Sequence, residues 1–418
     1  NVSASYASHY LFEHDRQKQI VGRIAGRYVV LGRYVVLDTA FLRHFHRTRT
    51  TYRPAMRPTI CLNMIVKNEA HVIERCLASA RPLIDRWCIV DTGSTDDTMR
   101  LIEGALAGIP GTLHSRPWKN FGHNRTEALE LAKSEGCDYL LFIDADELFD
   151  VPPKFAWPAN MTADGYELMC SYAGIRYARF AVAATRLPWR WIGVLHEYPD
   201  CGKPVASVAL DAPKVIIHHD GARARDPSTY LKDVAILESA LREEPDNARN
   251  AFYLAQSYRD AGMLAEAKAA YGRRVVMGGW DEEVWYSQFQ AAVLSEKLAE
   301  PAEIVAAGYL RAFNARPQRA EPLVELARFH RLRGEHTVAF VYAKHASTMP
   351  RPKDRLFVDQ ETYTWRALDE VAISAFYAGT DDARSTGRDA AVALLGLGDA
   401  LPASERGRVS ANAAYYGT

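Results

Sequence analysis

No charge of either sign prevails along these 418 residues, where 51 lysines and arginines face 51 aspartates and glutamates. A chain without net charge has no global attraction for nucleic acid or for an anionic membrane surface. No apolar run approaches the roughly 18 residues that a membrane-crossing helix needs. Cysteine is sparse. Cys61, Cys76, Cys88, Cys137, Cys170 and Cys201 all fall in the first half, and none forms a Cys-x-x-Cys pair. Several sit inside apolar stretches, which predicts buried, reduced thiols in a cytoplasmic protein rather than disulfides or zinc ligands. Glycine is never spaced as Gly-x-Gly-x-x-Gly or Gly-x-x-x-x-Gly-Lys-Ser/Thr, so the usual backbone cradles for a dinucleotide or an ATP phosphate are missing. Any nucleotide site here must be built from side chains and a metal.

What is present begins with a basic stretch. Residues 1–57 hold ten Arg or Lys against three Asp or Glu. Gly26–Leu31 is repeated at once as Gly32–Leu37, a pattern open to two short strands, a hairpin or a plain duplication. No apolar core of signal-peptide length follows the charges. Arg43, Arg47, Arg49, Arg53 and Arg57 read as a solvated arm, and no chemistry is assigned to the region.

From residue 58 to 222 strands and helices alternate. Thr59–Val66 is an unbroken apolar run, as in a strand covered on both faces. Ala70–Ala80 has helical spacing. Trp87–Val90 is a second strand ending at Asp91-Thr-Gly-Ser-Thr-Asp-Asp-Thr98, whose hydroxyls and carboxylates suit the start of a helix. Leu113–Ser115 is a short third strand, and Phe121 opens a helix. Tyr139–Ile143 is a fourth strand, and Asp144-Ala145-Asp146 stands at its end. Residues i and i+2 of a strand point the same way, so Asp144 and Asp146 can converge on one point. Two bare carboxylates that close repel each other and suit a hard cation with oxygen ligands, Mg²⁺ or Mn²⁺. The alternation predicts a parallel, Rossmann-like sheet with its ligand residues at the C-terminal strand ends.

Four motifs in this order, Met64–Glu69, Val90–Asp96, Gly122–Arg125 and Ile143–Glu147, resemble those of family 2 glycosyltransferases with the GT-A fold. The resemblance implies a nucleotide-sugar site formed by Val66, Asn68, Glu69, Asp91, Ser94, Arg125, Asp144 and Ala145. Asp91 would accept from the base, which fits the ring N–H of uracil, and Arg125 would lie near the base or the diphosphate. Asp146 would bind the metal directly, with Asp144 toward the ribose or the metal. A late histidine is the third ligand in such enzymes, and of His218 and His219, at the end of the strand Val215–Ile217, His218 is favoured.

Trp189–Tyr198 resembles the acceptor-side segment of the same enzymes. An inverting transfer needs a base near the acceptor nucleophile, and Glu197 is the candidate, with Asp220 and Glu147 as other acids. Glu197 could instead pair with Arg190 or His196. Trp189 and Trp191 suit either sugar stacking or the core.

After Gly221 alanine, leucine and glutamate rise and helical spacing takes over. Leu254-Ala255, Tyr258, Gly262 and Ala267 are matched by Leu326-Ala327, His330, Gly334 and Ala339, and Pro245 and Pro317 share that offset. A fainter copy with Leu294, Leu298 and Ala307 lies between. The unit resembles a tetratricopeptide repeat, and three units are the usual minimum. The expected divisions are a basic extension at 1–57, the GT-A domain at 58–222, repeats at 223–350 and a helical cap at 351–418. The array could hold a peptide, form a homodimer or brace the catalytic domain. A family 2 domain joined to such repeats looks like the group that includes bacterial peptide S-glycosyltransferases.

The sequence therefore predicts a metal-dependent inverting glycosyltransferase that uses a UDP-sugar and a peptide, protein or glycan acceptor. A sugar-1-phosphate nucleotidyltransferase would need a Gly-rich basic loop after its first strand, and Lys67-Asn68-Glu69 has no glycine. A binding scaffold with a vestigial sheet is the third reading, set apart by failure to bind UDP and Mn²⁺.

Overall fold

The computed structural model describes residues 28–31, 34–37, 57–172 and 175–418. The duplicated sequence forms a two-stranded antiparallel hairpin, β1 (Tyr28–Leu31) and β2 (Tyr34–Leu37), with Tyr28 opposite Leu37 and Leu31 opposite Tyr34. It belongs to a unit of its own, made of Asn1–Pro58 and Pro158–Met161. Arg43, Arg47, Arg49 and Arg53 lie outside the described residues. The second unit comprises Thr59–Trp157 and Thr162–Thr418.

The apolar runs become strands. In chain order they and their helices are β3 (Ile60–Val66), α1 (Ile73–Ala80), β4 (Arg86–Asp91), α2 (Thr98–Ala105), β5 (Gly111–Ser115), α3 (Phe121–Lys133) and β6 (Tyr139–Phe142). The sheet order β5-β4-β3-β6 is parallel throughout, as the alternation predicts. Val66 pairs with Asp91, so the loops after β3, β4 and β6 open at one end. β3 has six of its seven residues buried because α-helices and sheet neighbours cover both faces.

The rest of the sheet departs from the parallel expectation. It continues with β7 (Glu147–Asp150), β8 (Gly165–Tyr172), β9 (Ile175–Ala184) and β12 (Ser207–Ile217), in the order β6-β9-β8-β12-β7. Only β8 and β12 are parallel here, and the pairs β6–β9, β8–β9 and β12–β7 are antiparallel. A small pair, β10 (Arg190–Ile192) and β11 (Tyr198–Asp200), stands apart. Four strand spacings at ~4.8 Å separate β6 from β7 in a flat sheet, roughly 19 Å. The five steps from Phe142 to Glu147 span at most roughly 18 Å fully extended. The sheet must therefore curl, and the Asp144–Asp146 link closes the curl at its mouth. Ile217 lies opposite Glu147, so the chain leaving β12 arrives beside Asp146.

All six cysteines are free and buried, as their apolar settings predict. Trp189 is buried with Cys61, Leu140 and Ala183, and its indole N–H donates to Ala184 O at 3.0 Å, so it is a core residue and not a sugar platform.

Past the four-residue α4 (Ala222–Arg225) the chain is helical. α5 (Thr229–Glu243) leads into three helix pairs, α6 (Ala248–Asp260) with α7 (Leu264–Val276), α8 (Asp281–Lys297) with α9 (Ala302–Ala315), and α10 (Glu321–Leu332) with α11 (His336–Ser347). Each pair turns through one residue at positive φ: Gly262 at 78°, Ala299 at 54° and Gly334 at 76°. A π turn at Thr362–Arg366 then opens α12 (Ala367–Ala378), followed by α13 (Asp381–Gly396) and α14 (Ala403–Ala414). α12 to α14 share a core with Ala327, Phe340 and Ala343 of the preceding repeat, so they extend the array. At the other end Leu195 of the sheet domain packs among Val234, Leu237, Phe252 and Tyr271. Among the described residues no helix is long and apolar enough to cross a membrane.

Candidate functional site

The loop after β3 and the loop after β4 are tied together. Asn68 has φ 58°, and its N–H donates to Ser94 Oγ at 2.8 Å while its Oδ1 accepts from Thr95 N at 2.7 Å. Glu69 N donates to Thr98 Oγ1 at 2.8 Å. Asn68 and Ser94 therefore shape the mouth. Val66 is buried, and its carbonyl already accepts from Thr92 N and Oγ1 at 2.9 and 3.1 Å.

Asp91 is 2% exposed. Its Oδ1 accepts from Gly93 N and Ser94 N, both at 2.9 Å, while its Oδ2 is buried with no partner. A buried acceptor without a donor is costly unless a ligand supplies one.

The third motif works through backbone contacts. Asn120 caps α3 by accepting from His123 N at 2.8 Å. Asn124, fully buried, holds the loop before it by accepting from Lys119 N at 2.9 Å and donating to Pro117 O at 3.0 Å. A Cβ on Gly122 would stand 2.2 Å from Gly193 O, so only glycine lets α3 approach the 191–195 segment. Arg125, one turn in, is aimed at the mouth. Its guanidinium bonds Asp144 Oδ1 through Nη2, lies 2.5 Å from Glu197 Oε1 through Nε, and covers the Trp191 ring at 5.1 Å. Trp191 is thereby taken up as the floor under Arg125, with Phe142 edge-on at 5.1 Å.

The acidic link is fixed from several sides. Burial opposes ionisation of Asp144, but Arg125 and then Arg179 outweigh it and hold the carboxyl below its usual range. Glu147 is 2% exposed, accepts from both ends of the Arg179 guanidinium at 2.6 Å, and accepts from Asp144 N at 3.1 Å. It is a brace for the link, not a free acid. Ala145 between the two aspartates is buried. Asp146 Oδ2 accepts from Gly221 N at 3.3 Å, and its carbonyl accepts from His218 N at 3.3 Å.

Glu69 Oε2 accepts from Ala222 N at 3.0 Å, which joins the loop after β3 to the start of α4. Burial, opposed by that N–H and reinforced by the carboxylates of Asp146 and Asp144, pushes Glu69 up to about 7. Asp220 is engaged by Arg75 and by His71 Nε2, which bonds its carbonyl at 2.8 Å, so this alternative acid is tied to α1.

The fold thus brings Asn68, Glu69, Asp91, Ser94, Arg125, Asp144, Asp146 and Glu197 to one mouth. His218 arrives there by its backbone, while its side chain is exposed. Asp144, Asp146 and His218 are not closed into a ligand set, because among the described residues no three His, Cys, Asp or Glu side chains stand in metal-binding geometry. Arg190, offered as a partner for Glu197, lies 4.0 Å from Asp200 instead. Arg75 and Arg179 were missed by the sequence reading. Their contacts span 145 and 32 residues and leave no local mark.

With this geometry in view, residues 61–152 match the model of glycosyl transferase family 2. The SPbeta prophage-derived glycosyltransferase SunS of Bacillus subtilis (strain 168) is 26% identical over 219 residues, which cover 48% of this chain and 50% of SunS. An uncharacterized glycosyltransferase of Rickettsia felis is 34% identical over 84 residues, 20% of this chain and 27% of its own. The chain thus spans about half the length of SunS and about a quarter of the Rickettsia protein. Among solved structures, BtubC from P. vanneervenii aligns over 47% of this chain and 84% of its own, at 14% identity and a TM-score of 0.35. Residues 61–152 make up a family 2 glycosyl transferase domain, and tandem helix pairs of tetratricopeptide type follow it in the same chain.

Proposed function

We propose that the chain is an inverting, metal-dependent glycosyltransferase that uses a UDP-sugar and a peptide, protein or glycan acceptor. The observation that carries this reading is the buried, unpartnered Asp91 Oδ2 at the end of β4, in the same mouth as the acidic link after β6. The ring N–H of uracil is a donor of the kind that oxygen lacks. Asn68 and Ser94 then border the nucleoside.

A divalent cation fits the acidic surroundings. Glu69, Asp144 and Asp146 gather carboxylates, and the charges of Asp146 and Asp144 add to burial in opposing ionisation of Glu69. Asp146 would hold Mg²⁺ or Mn²⁺ directly, with Asp144 beside it and the exposed His218 as the further donor. Bound there, the ion would neutralise charge on the departing diphosphate. Arg125 adds fixed positive charge at the same place. In the transfer, the acceptor nucleophile bonds to the anomeric carbon from the face opposite the diphosphate. The bond from that carbon to the phosphate oxygen breaks, and its electron pair leaves with the nucleoside diphosphate. Glu197, 10% exposed beside Arg125, takes the acceptor proton in this reading. The buried thiols suit a reducing compartment such as the cytoplasm.

Calorimetry with UDP and Mn²⁺ on the wild type and on Asp91→Ala tests the reading. Binding that needs Mn²⁺ and weakens at least roughly tenfold in the variant supports it. Equal affinity in the two proteins removes the base-reading role of Asp91. No binding by the wild type favours a scaffold.

A further inference from the structure

Glu197 lies on a segment that the sheet domain holds from one side only. Phe121 N at the start of α3 donates to Val194 O at 3.2 Å, and Trp191 N donates to Thr126 Oγ1 at 2.9 Å. The other side is held by α5 and the first helix pair. Leu195 is buried against Val234 and Leu237 of α5 and Phe252 of α6. Arg249 of α6 donates from Nη2 to His196 O at 2.8 Å. Its guanidinium lies 4.9 Å from the Tyr198 ring and 5.0 Å from the Tyr253 ring. The His196 ring stacks on Tyr253 at 4.0 Å and 19°.

The backbone shows why these contacts bear on Glu197. His196 has φ 51°, a conformation that a non-glycine residue adopts only when its surroundings hold it there. The carbonyl that Arg249 grips and the Glu197 N–H belong to the same rigid peptide plane. Fixing that plane fixes the direction in which Glu197 leaves the chain, and so its approach to Arg125. Apolar packing between the sheet domain and the helices is already supplied by Leu195, Val194 and Phe121.

We propose that the first helical repeat is part of the acceptor side of the active site, with Arg249 and Tyr253 as positioning residues for Glu197. This rests on the glycosyl-transfer reading and deepens it. The array then does more than follow the catalytic domain, because α6 sets the geometry of the group that receives the acceptor proton.

The test compares full-length Arg249→Ala, Tyr253→Ala and Tyr253→Phe with wild type. UDP affinity is read by calorimetry with Mn²⁺, turnover by free UDP released from a panel of UDP-sugars, and backbone order by hydrogen exchange. Both alanine variants are expected to keep UDP affinity within about twofold, to lose turnover roughly ten- to a hundredfold, and to exchange faster at residues 195–198 but not in β3 or β4. Tyr253→Phe keeps the stacked ring and restores most of the turnover lost in Tyr253→Ala. Wild-type turnover and exchange in Arg249→Ala overturn the inference and leave the transfer reading standing. Joint loss of UDP binding and of order in β3 and β4 marks a general collapse and also overturns it. A wild-type chain that neither binds UDP nor releases it overturns both.

Discussion

Arg125 Nε and Glu197 Oε1 stand 2.5 Å apart, and the same guanidinium reaches Asp144 through Nη2. One side chain therefore couples the acid assigned to the acceptor with the acid assigned to the donor. Arg125→Ala leaves Glu197 without this counter-charge and leaves Asp144 only the charges of Arg179 and Arg223. Turnover is expected to fall about a hundredfold or more, the scale set by removing one preorganised donor to developing negative charge. Arg125→Lys keeps the charge but not the planar fork, so it recovers only part of the loss. Steady-state release of UDP by the three proteins checks this, and equal rates contradict it.

Glu147 and Arg179 make a prediction about stability. The carboxylate is buried, bonded at both oxygens by Arg179, and accepts from the backbone N–H of Asp144. Glu147→Ala strips one partner from a buried pair and leaves that N–H without its acceptor. The expected cost is about 3 kcal/mol. Urea unfolding measures it, and an unchanged midpoint would mean that the link after β6 does not depend on this brace.

The middle helix pair shows what the sequence could and could not say. Gly262 and Gly334 mark the first and third turns, and glycine at a left-handed turn is readable in advance. The second turn uses Ala299 at φ 54°, so its repeat looks fainter although the turn has the same geometry. Ala299→Gly is expected to stabilise the protein by up to about 1 kcal/mol, because relief of the strained φ outweighs the added freedom of the unfolded chain. Thermal unfolding checks the sign.

The same contrast runs through the sheet. β3, β4 and β6 are continuous apolar runs ending in Asn68-Glu69, Asp91 and Asp144, so both the strands and the site residues could be read locally. β9 is exposed over residues 176–178 and buried over 181–184, β12 is exposed over 207–209, and the two carry arginine, lysine and aspartate among their apolar residues. Their antiparallel partners, β6 and β7, are set by how the sheet curls, which leaves no periodic trace. Glu197 could be named as an acid near the acceptor. Its partner Arg125 lies 72 residues away, and Arg249 approaches from another layer of the fold.

Glu69 predicts a pH dependence. Its folded value is raised from 4.5 to about 7, so the folded protein binds its proton more tightly than the unfolded chain does. That contribution is fully present below about 4.5 and is lost as pH rises through about 7. Glu69→Gln keeps an oxygen for Ala222 N and removes the charge. In buffer free of divalent cations the variant is expected to gain on wild type as pH rises, by about 1–3 kcal/mol at pH 8, partial exposure included. Parallel stability curves for the two proteins between pH 5 and pH 8 contradict it.

Gly122 links packing to chemistry most directly. An added Cβ would meet the Gly193 carbonyl oxygen at 2.2 Å, and that oxygen is backbone, so the contact cannot be relieved by turning a side chain. Either α3 or the 191–195 segment must move. Gly122→Ala is therefore expected to cost about 1–3 kcal/mol in stability, the range for overpacking. Because Arg125 rides on α3 and Glu197 on the displaced segment, turnover should fall by more than the stability loss alone explains, roughly a hundredfold for a shift near 1 Å. UDP binding is expected to weaken less than turnover, because Asp91 at the end of β4 lies on neither moved element and only the Arg125 side of the diphosphate site shifts. Stability and turnover equal to wild type in Gly122→Ala would show that α3 does not need this close approach.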